Sequence, residues 1–256
     1  MGLVRSKEEI KKRYKQYEEG YKLLDVNLLH VMFATTMETV ERVLPPPLEP
    51  ADTLVAYAFI AEYPRTNFIA PYNEAAVFVP CQYKGERGNY CLAMPVTTDI
   101  AMIGGREVYG YPKKIAESIT LTRNGNEVHG KCVRNGFTII EAKGTLSGDV
   151  MEPSDDNTPH FVIKSILDEQ AVGPRKDPLL IRQVNPTDFD KIELGDGVLT
   201  FGESKYDYLH EIPIEQVMAL TYMENGTILM PPGKVVAEID AEEYSRYHGI
   251  KYDWEI

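Results

Sequence analysis

Glu117-Ser118-Ile119-Thr120-Leu121-Thr122-Arg123 alternates polar with apolar residues and runs into Asn124-Gly125. A second strand-like run, 127–134, ends at Asn135-Gly136, and a third, 137–146, follows it. Alternation of period two marks a strand with one buried face. Asn-Gly pairs accept the positive φ angles of a two-residue hairpin turn. The stretch therefore predicts three antiparallel strands in succession. Outward from it, similar runs occupy residues 53–61, 75–83, 90–96, 160–167, 180–184, 191–201 and 214–224, with one more from Leu28 to Ala34. Asp196-Gly197 and Asn225-Gly226 read as further hairpin turns.

Helices are few. Ser6-Lys7-Glu8-Glu9 matches a capping box, and Ile10, Tyr14, Tyr17, Tyr21 and Leu24 recur at helical spacing. The spacing predicts an amphipathic helix within residues 1–24, packed on the domain or on a neighbouring subunit. Thr36 to Leu44 reads as a short second helix that Pro45-Pro46-Pro47 stops. Many strands and few helices predict a mainly β fold, an antiparallel barrel or sandwich with an N-terminal helix. One domain is expected over residues 1–256. The polar stretches 151–159 and 171–178 read as surface loops, and the aromatic segment from Tyr244 to Trp254 as a cover for one opening of the barrel or a contact with another subunit.

Acidic residues outnumber basic ones, 39 to 27. That balance excludes the basic footprint nucleic acid requires and disfavours an anionic membrane surface. No apolar run approaches the ~20 residues of a spanning helix. The N-terminus lacks the apolar centre of a signal peptide, and Met1-Gly2-Leu3-Val4-Arg5-Ser6 matches a myristoylation pattern only loosely. Cys81, Cys91 and Cys132 make an odd set without a close pair, so a reduced, cytoplasmic setting is expected. The five histidines show no metal-ligand spacing, so neither metal nor cofactor is expected.

One segment departs from the habits of a soluble domain. Two lysines close the run Gly104-Gly105-Arg106-Glu107-Val108-Tyr109-Gly110-Tyr111-Pro112-Lys113-Lys114, just after the apolar Ile100-Ala101-Met102-Ile103. Burial penalises the charged form of an amine, and a neutral amine attacks carbonyl carbon. Two adjacent extended residues face opposite ways, so only one of the pair can enter a given cavity. Upstream, Glu74 follows Pro71-Tyr72-Asn73 and precedes the apolar Ala75-Ala76-Val77-Phe78-Val79. A carboxylate near an amine can serve as acid and base in forming and hydrolysing an imine.

The ten residues Gly105 to Lys114 resemble the active-site signature of the acetoacetate decarboxylase family, a Gly-Arg-Glu triplet followed by an aromatic residue, Pro and two lysines. Val43-Leu44-Pro45-Pro46-Pro47-Leu48-Glu49 and Tyr72-Asn73-Glu74 are similar to two further family stretches. The resemblance covers roughly residues 24–120. It implies a β-barrel or cone with an apolar interior, in homo-oligomers. It implies that Lys113 is the Schiff-base lysine, Lys114 its neighbour and Glu74 a cavity carboxylate that orients substrate or moves a proton. Arg106 and Glu107 are expected to form a supporting ion pair, and Tyr111, with Tyr109 and Tyr252, to lie within reach of substrate. Aligning on the proline stretch puts Val26 where the family carries an arginine and Ala58 where it carries a glutamate. Glu62 and Arg65, a few residues on, are the candidates to replace them in binding substrate.

The expected activity is that of a carbon-carbon lyase decarboxylating a small β-keto acid. The superfamily also contains aldolase-dehydratases acting on pyruvate and aldehydes through the same lysine. Outside catalysis, the alternatives are a barrel that binds a small ligand without chemistry and a scaffold subunit.

Overall fold

A computed structural model describes residues 3–152, 157–170 and 173–253, the side chain of Gln16 excepted. Met1-Gly2, parts of the two expected loops (153–156 and 171–172) and Trp254 lie outside the described residues. Helix α1 spans Lys7–Glu18 and starts as its sequence dictates. The Ser6 hydroxyl accepts from the Glu9 amide at 3.2 Å, and the Glu9 carboxylate accepts from the Ser6 amide at 2.8 Å. The helix stops at Glu18, so Tyr21 and Leu24 belong to strand β1 (Tyr21–Ala34) rather than to the helical stripe. Of that stripe Tyr17 is half-buried, whereas Ile10 and Tyr14 are exposed.

Helix α2 (Met37–Val43) is capped by Thr36. Then come β2 (Glu49–Pro50), β3 (Val55–Tyr63), β4 (Arg65–Thr66), β5 (Tyr72–Tyr83) and β6 (Glu86–Val96). Helix α3 (Asp99–Gly104) passes into one π-helical turn, Gly105–Tyr109, and short β7 (Lys113–Ile115) follows. The expected meander forms as β8 (Ser118–Asn124), β9 (Glu127–Arg134) and β10 (Phe137–Met151). The remaining elements are β11 (His160–Lys164), β12 (Leu179–Gln183), β13 (Thr187–Asp188), β14 (Lys191–Thr200), β15 (Gln216–Met230), β16 (Lys234–Glu238) and α4 (Ala241–His248). Helix α4 starts on Asp240, whose carboxylate accepts from the Glu242 and Glu243 amides, whereas the N-cap Thr98 of α3 makes no side-chain cap bond.

The fold is mainly β with an N-terminal helix. Its sheet runs β16-β12-β11-β6-β5-β3-β1-β15-β14-β10-β9-β8. It is mixed, because β6 pairs in parallel with both β11 and β7, and open rather than a closed barrel, because the path ends at β16 and β8. The sheet still curls onto itself. Ile60 of β3 packs on Gly130 of β9, and the side-chain Nδ2 of Asn73 in β5 donates to the Ile119 carbonyl of β8 at 2.7 Å.

Two expected turns do not form. Asp196-Gly197 lies inside β14 and pairs with Thr145 and Gly144 of β10. Asn225-Gly226 lies inside β15, where pairing with β1 shifts register around Gly226. Asn225 adopts φ 50°, and a Cβ on Gly226 would sit 2.2 Å from the Phe189 ring. The positive φ and the bare backbone thus make a bulge instead of a hairpin, because both sides of each strand find partners that the local sequence does not reveal.

Two apolar layers flank the strands. One gathers Leu29, Val31, Phe33, Ala58, Ile60, Val77, Val79 and Ile140. The other gathers Val26, Ala61, Tyr63, Tyr72, Phe78 and Tyr109. Strand β5 is buried on both faces, with Val77 and Val79 in the first layer and Ala76 and Phe78 in the second. Its near-continuous apolar run follows from that position.

Candidate active site

Strand β7 holds both lysines beside β6, with Lys113 opposite Met94 and Lys114 opposite Pro95. The chain reaches it through a tight local path. The amides of Gly110 and Tyr111 both donate to the Gly105 carbonyl, at 2.9 and 3.1 Å. A Cβ on Gly105 would sit 2.3 Å from Cδ of Lys113. The methylene stem of Lys113 therefore lies directly on the bare backbone of the π turn, which accounts for glycine at this place in the Gly-Arg-Glu triplet.

The two amines have different surroundings. Lys113 Nζ stands 2.6 Å from Glu74 Oε2, with the two side chains only 4% and 6% exposed. Glu74 comes from β5, where it faces Ala61 of β3 and Val96 of β6. The Tyr63 hydroxyl donates to Glu74 Oε1 at 3.2 Å, and the Tyr72 ring centroid lies 5.3 Å from Lys113 Nζ. Burial, and then the Glu74 charge, hold the Tyr63 and Tyr72 phenols well above the usual tyrosine range. Both are neutral hydroxyls at ordinary pH, and Tyr63 is placed to donate to the carboxylate.

Lys114 leaves the opposite side of β7. Its Nζ donates to the Tyr206 carbonyl at 3.2 Å and lies 3.0 Å from Asp207 and 3.2 Å from Asp253. Arg134 pairs with the same two aspartates. This amine is tied into a four-charge network against a cavity of about 330 Å³ lined by Tyr90, Leu92, Met94 and Ile139. Lys113 instead opens on a separate cavity of about 170 Å³ between α3, the π turn and the start of β1. Its walls are Tyr21, Phe68, Ile69, Tyr72, Tyr109 and Met230, with the main chain at Gly104 and Gly105, and Arg13 of α1 stands at its edge.

The other sequence candidates do not gather at this amine. Arg65 is exposed and forks onto Asp25, with Nε and Nη2 at 2.6 and 2.9 Å from its carboxylate. Glu62 turns to the other side of β3 from Tyr63, beside Asn73, Thr97 and Ser118. Burial raises its carboxyl, against a backbone hydrogen bond from Leu121. Tyr111 is buried, accepts from Asn185 at 3.0 Å and lies 3.4 Å from His160 Nδ1. It belongs to a polar group that also includes Tyr57 and is not among the walls of the Lys113 cavity. Arg106 does not pair with Glu107, which is exposed. It donates to the Lys251 carbonyl at 3.3 Å and stacks over Tyr252, 5.0 Å from the ring centroid. Tyr109 lines the cavity and donates to the Met230 carbonyl at 3.0 Å.

Strand register also decides which residues of β3 stand near the amine. Ala58 packs in the first apolar layer, away from Glu74. The side chains of β3 in the lysine's layer are Tyr57, Phe59, Ala61 and Tyr63. Successive side chains of a strand face opposite ways, so Phe59 and Ala61, and not Ala58, face the lysine's layer. That wall still carries no acid. Val26 is fully buried in the same layer. Tyr63 and Arg13 escaped sequence reading, since only strand pairing and helix docking bring them to the amine.

A third lysine is buried as well. Lys251 Nζ donates to the Ile163 carbonyl and lies 3.4 Å from Ser165 Oγ. Burial, and then the Arg106 charge, lower its pKa from 10.5 to about 7. Between those values the folded chain holds fewer protons than the unfolded one, so this group's contribution to stability rises with pH and is lost as pH falls towards 7. Lys251→Met is expected to remove that slope. Thermal unfolding of both proteins from about pH 7 to about pH 9.5 should show wild type gaining on the variant by on the order of 3 kcal/mol. Parallel curves would refute the assignment.

Comparison with known proteins agrees with this geometry. The family described as Acetoacetate decarboxylase (ADC) matches residues 9–239 of the chain. The acetoacetate decarboxylase 3 of Mesorhizobium japonicum is 33% identical over 161 residues, which cover 60% of this chain and 61% of that protein. The match thus spans less than two thirds of that relative's length. Among solved structures, acetoacetate decarboxylase from Legionella pneumophila superposes with a TM-score of 0.77 at 21% identity, covering 86% of this chain and 88% of that one. The enduracididine biosynthesis enzyme MppR, complexed with pyruvate, superposes with a TM-score of 0.72 at 18% identity, covering 86% and 91%. At these identities the likeness is one of fold.

Proposed function

Because the chain belongs to the acetoacetate decarboxylase family, we propose that it decarboxylates a β-keto acid through an iminium formed on Lys113. One observation carries the reading: a buried amine 2.6 Å from a buried carboxylate, at the wall of a small, mostly apolar cavity. Glu74 takes the proton the amine must lose, and Lys113 Nζ then attacks the ketone carbon. Loss of water gives the iminium. The bond between the α-carbon and the carboxylate breaks, its electron pair moves to the iminium nitrogen, and carbon dioxide leaves. The resulting enamine takes a proton on carbon, and water hydrolyses the imine to release the ketone and the lysine. Glu74, with the Tyr63 hydroxyl behind it, is the group placed to pass these protons. Lys114, bound to Asp207 and Asp253, stays outside the reaction.

The test is reduction with borohydride in the presence of acetoacetate, with carbon dioxide release followed in parallel. The expected result is carbon dioxide release in the absence of borohydride and a reduced adduct on the peptide containing Lys113. Absence of both the release and the adduct would sink the reading. A second reading uses the same lysine on pyruvate and an aldehyde. It draws support from the acid-free wall of β3, which differs from the glutamate-bearing wall the resemblance implies. An adduct with pyruvate and none with acetoacetate would favour it.

A further inference from the structure

We propose that Arg13, delivered by α1, binds the carboxylate of the keto acid that reacts at Lys113. This rests on the reading of Lys113 above and adds to it the group that recognises the charged end of the substrate. Among the described residues, Arg13 and Lys113 are the two cationic side chains lining the 170 Å³ cavity, and no acidic side chain lines it with them. Arg13 is exposed, and its guanidinium makes two contacts at the rim of the cavity. Its Nη2 donates to the Phe68 carbonyl at 3.2 Å, and its guanidinium carbon lies 5.3 Å from the Tyr21 ring centroid. Tyr21 in turn stacks on Phe68 at 4.3 Å. One helical turn on, Tyr17 packs edge-on against Tyr109 at 6.0 Å, which docks the helix beside the cavity. Residues four apart share a helix face, so the contact made by Tyr17 sets the exposed Arg13 at the rim of this cavity.

The chemistry of the two ends then differs. The amine is deep in the fold, beside Glu74, and suits the ketone. The guanidinium stands at the edge and suits a carboxylate, whose geometry its planar fork matches. Arg13 holds the carboxylate in the ground state and does not touch the ketone carbon. Its loss should therefore raise KM and leave kcat within a few-fold.

The experiment compares wild type, Arg13→Gln and Arg13→Lys with two ligands, acetoacetate and the neutral β-diketone acetylacetone, which forms an enaminone with an amine. Glutamine is a comparable helix former, so α1 is expected to persist. The expected result is a rise of about 10-fold or more in KM for acetoacetate in Arg13→Gln. Arg13→Lys should recover part of this, and half-saturation by acetylacetone should be unchanged. Equal loss for both ligands, or no change with acetoacetate, overturns the role of Arg13 while the chemistry of Lys113 stands. Failure of wild type to form an adduct with either ligand overturns the lysine reading and the Arg13 proposal together.

Discussion

Lys113→Met should abolish turnover and leave no amine for borohydride to trap. Methionine keeps length and apolar volume, so the variant removes the nucleophile while its stem can still lie on Gly105. A confounding effect is foreseeable. Removing the cation leaves Glu74 buried without its partner, and breaking such a pair costs on the order of 3–5 kcal/mol. The double variant Lys113→Met with Glu74→Gln removes that unpaired charge. It should regain thermal stability and remain inactive. Residual decarboxylation in Lys113→Met above the uncatalysed rate would show that the nucleophile lies elsewhere, and adduct mapping on Lys114 or Lys251 would say where.

Glu74→Gln is expected to lower kcat by roughly 10²- to 10⁴-fold, the usual worth of a positioned acid or base. The amide keeps the shape of the carboxylate and can still accept from Tyr63, whose hydroxyl lies 3.2 Å from Oε1. What it loses is the ability to take a proton. Lys113 remains in place, so borohydride should still trap an adduct, though more slowly than in wild type. That separates the two variants: one has no adduct, the other a slow one. Single-turnover trapping at the wild-type rate in Glu74→Gln would confine the carboxylate to an electrostatic role.

Much of this site was legible in the chain. The meander from Ser118 to Met151 follows from alternation and two Asn-Gly turns, because hairpin sterics act over two residues. The separation of Lys113 from Lys114 follows from the two-residue period of a strand. The pairing of Glu74 with Lys113 was expected from family resemblance, yet the residues stand 39 apart in sequence, and it depends on β5, β6 and β7 lying side by side. Readings that relied on nearness in sequence fared differently. Arg65 found Asp25, and Arg106 found the carbonyl of Lys251. A charged side chain goes to whatever partner the tertiary path brings within reach, and sequence distance says little about that.

A mainly β chain, a capped N-terminal helix and the lysine segment can all be read locally, since hydrophobic period, turn chemistry and capping act over a few residues. Which wall of β3 faces the amine, which acids hold Lys114, and the place of Arg13 at the edge of the Lys113 cavity emerge from the folded chain alone. Those are juxtapositions of distant segments. They are set by strand register and helix docking, where a shift of one residue turns a side chain to the opposite face.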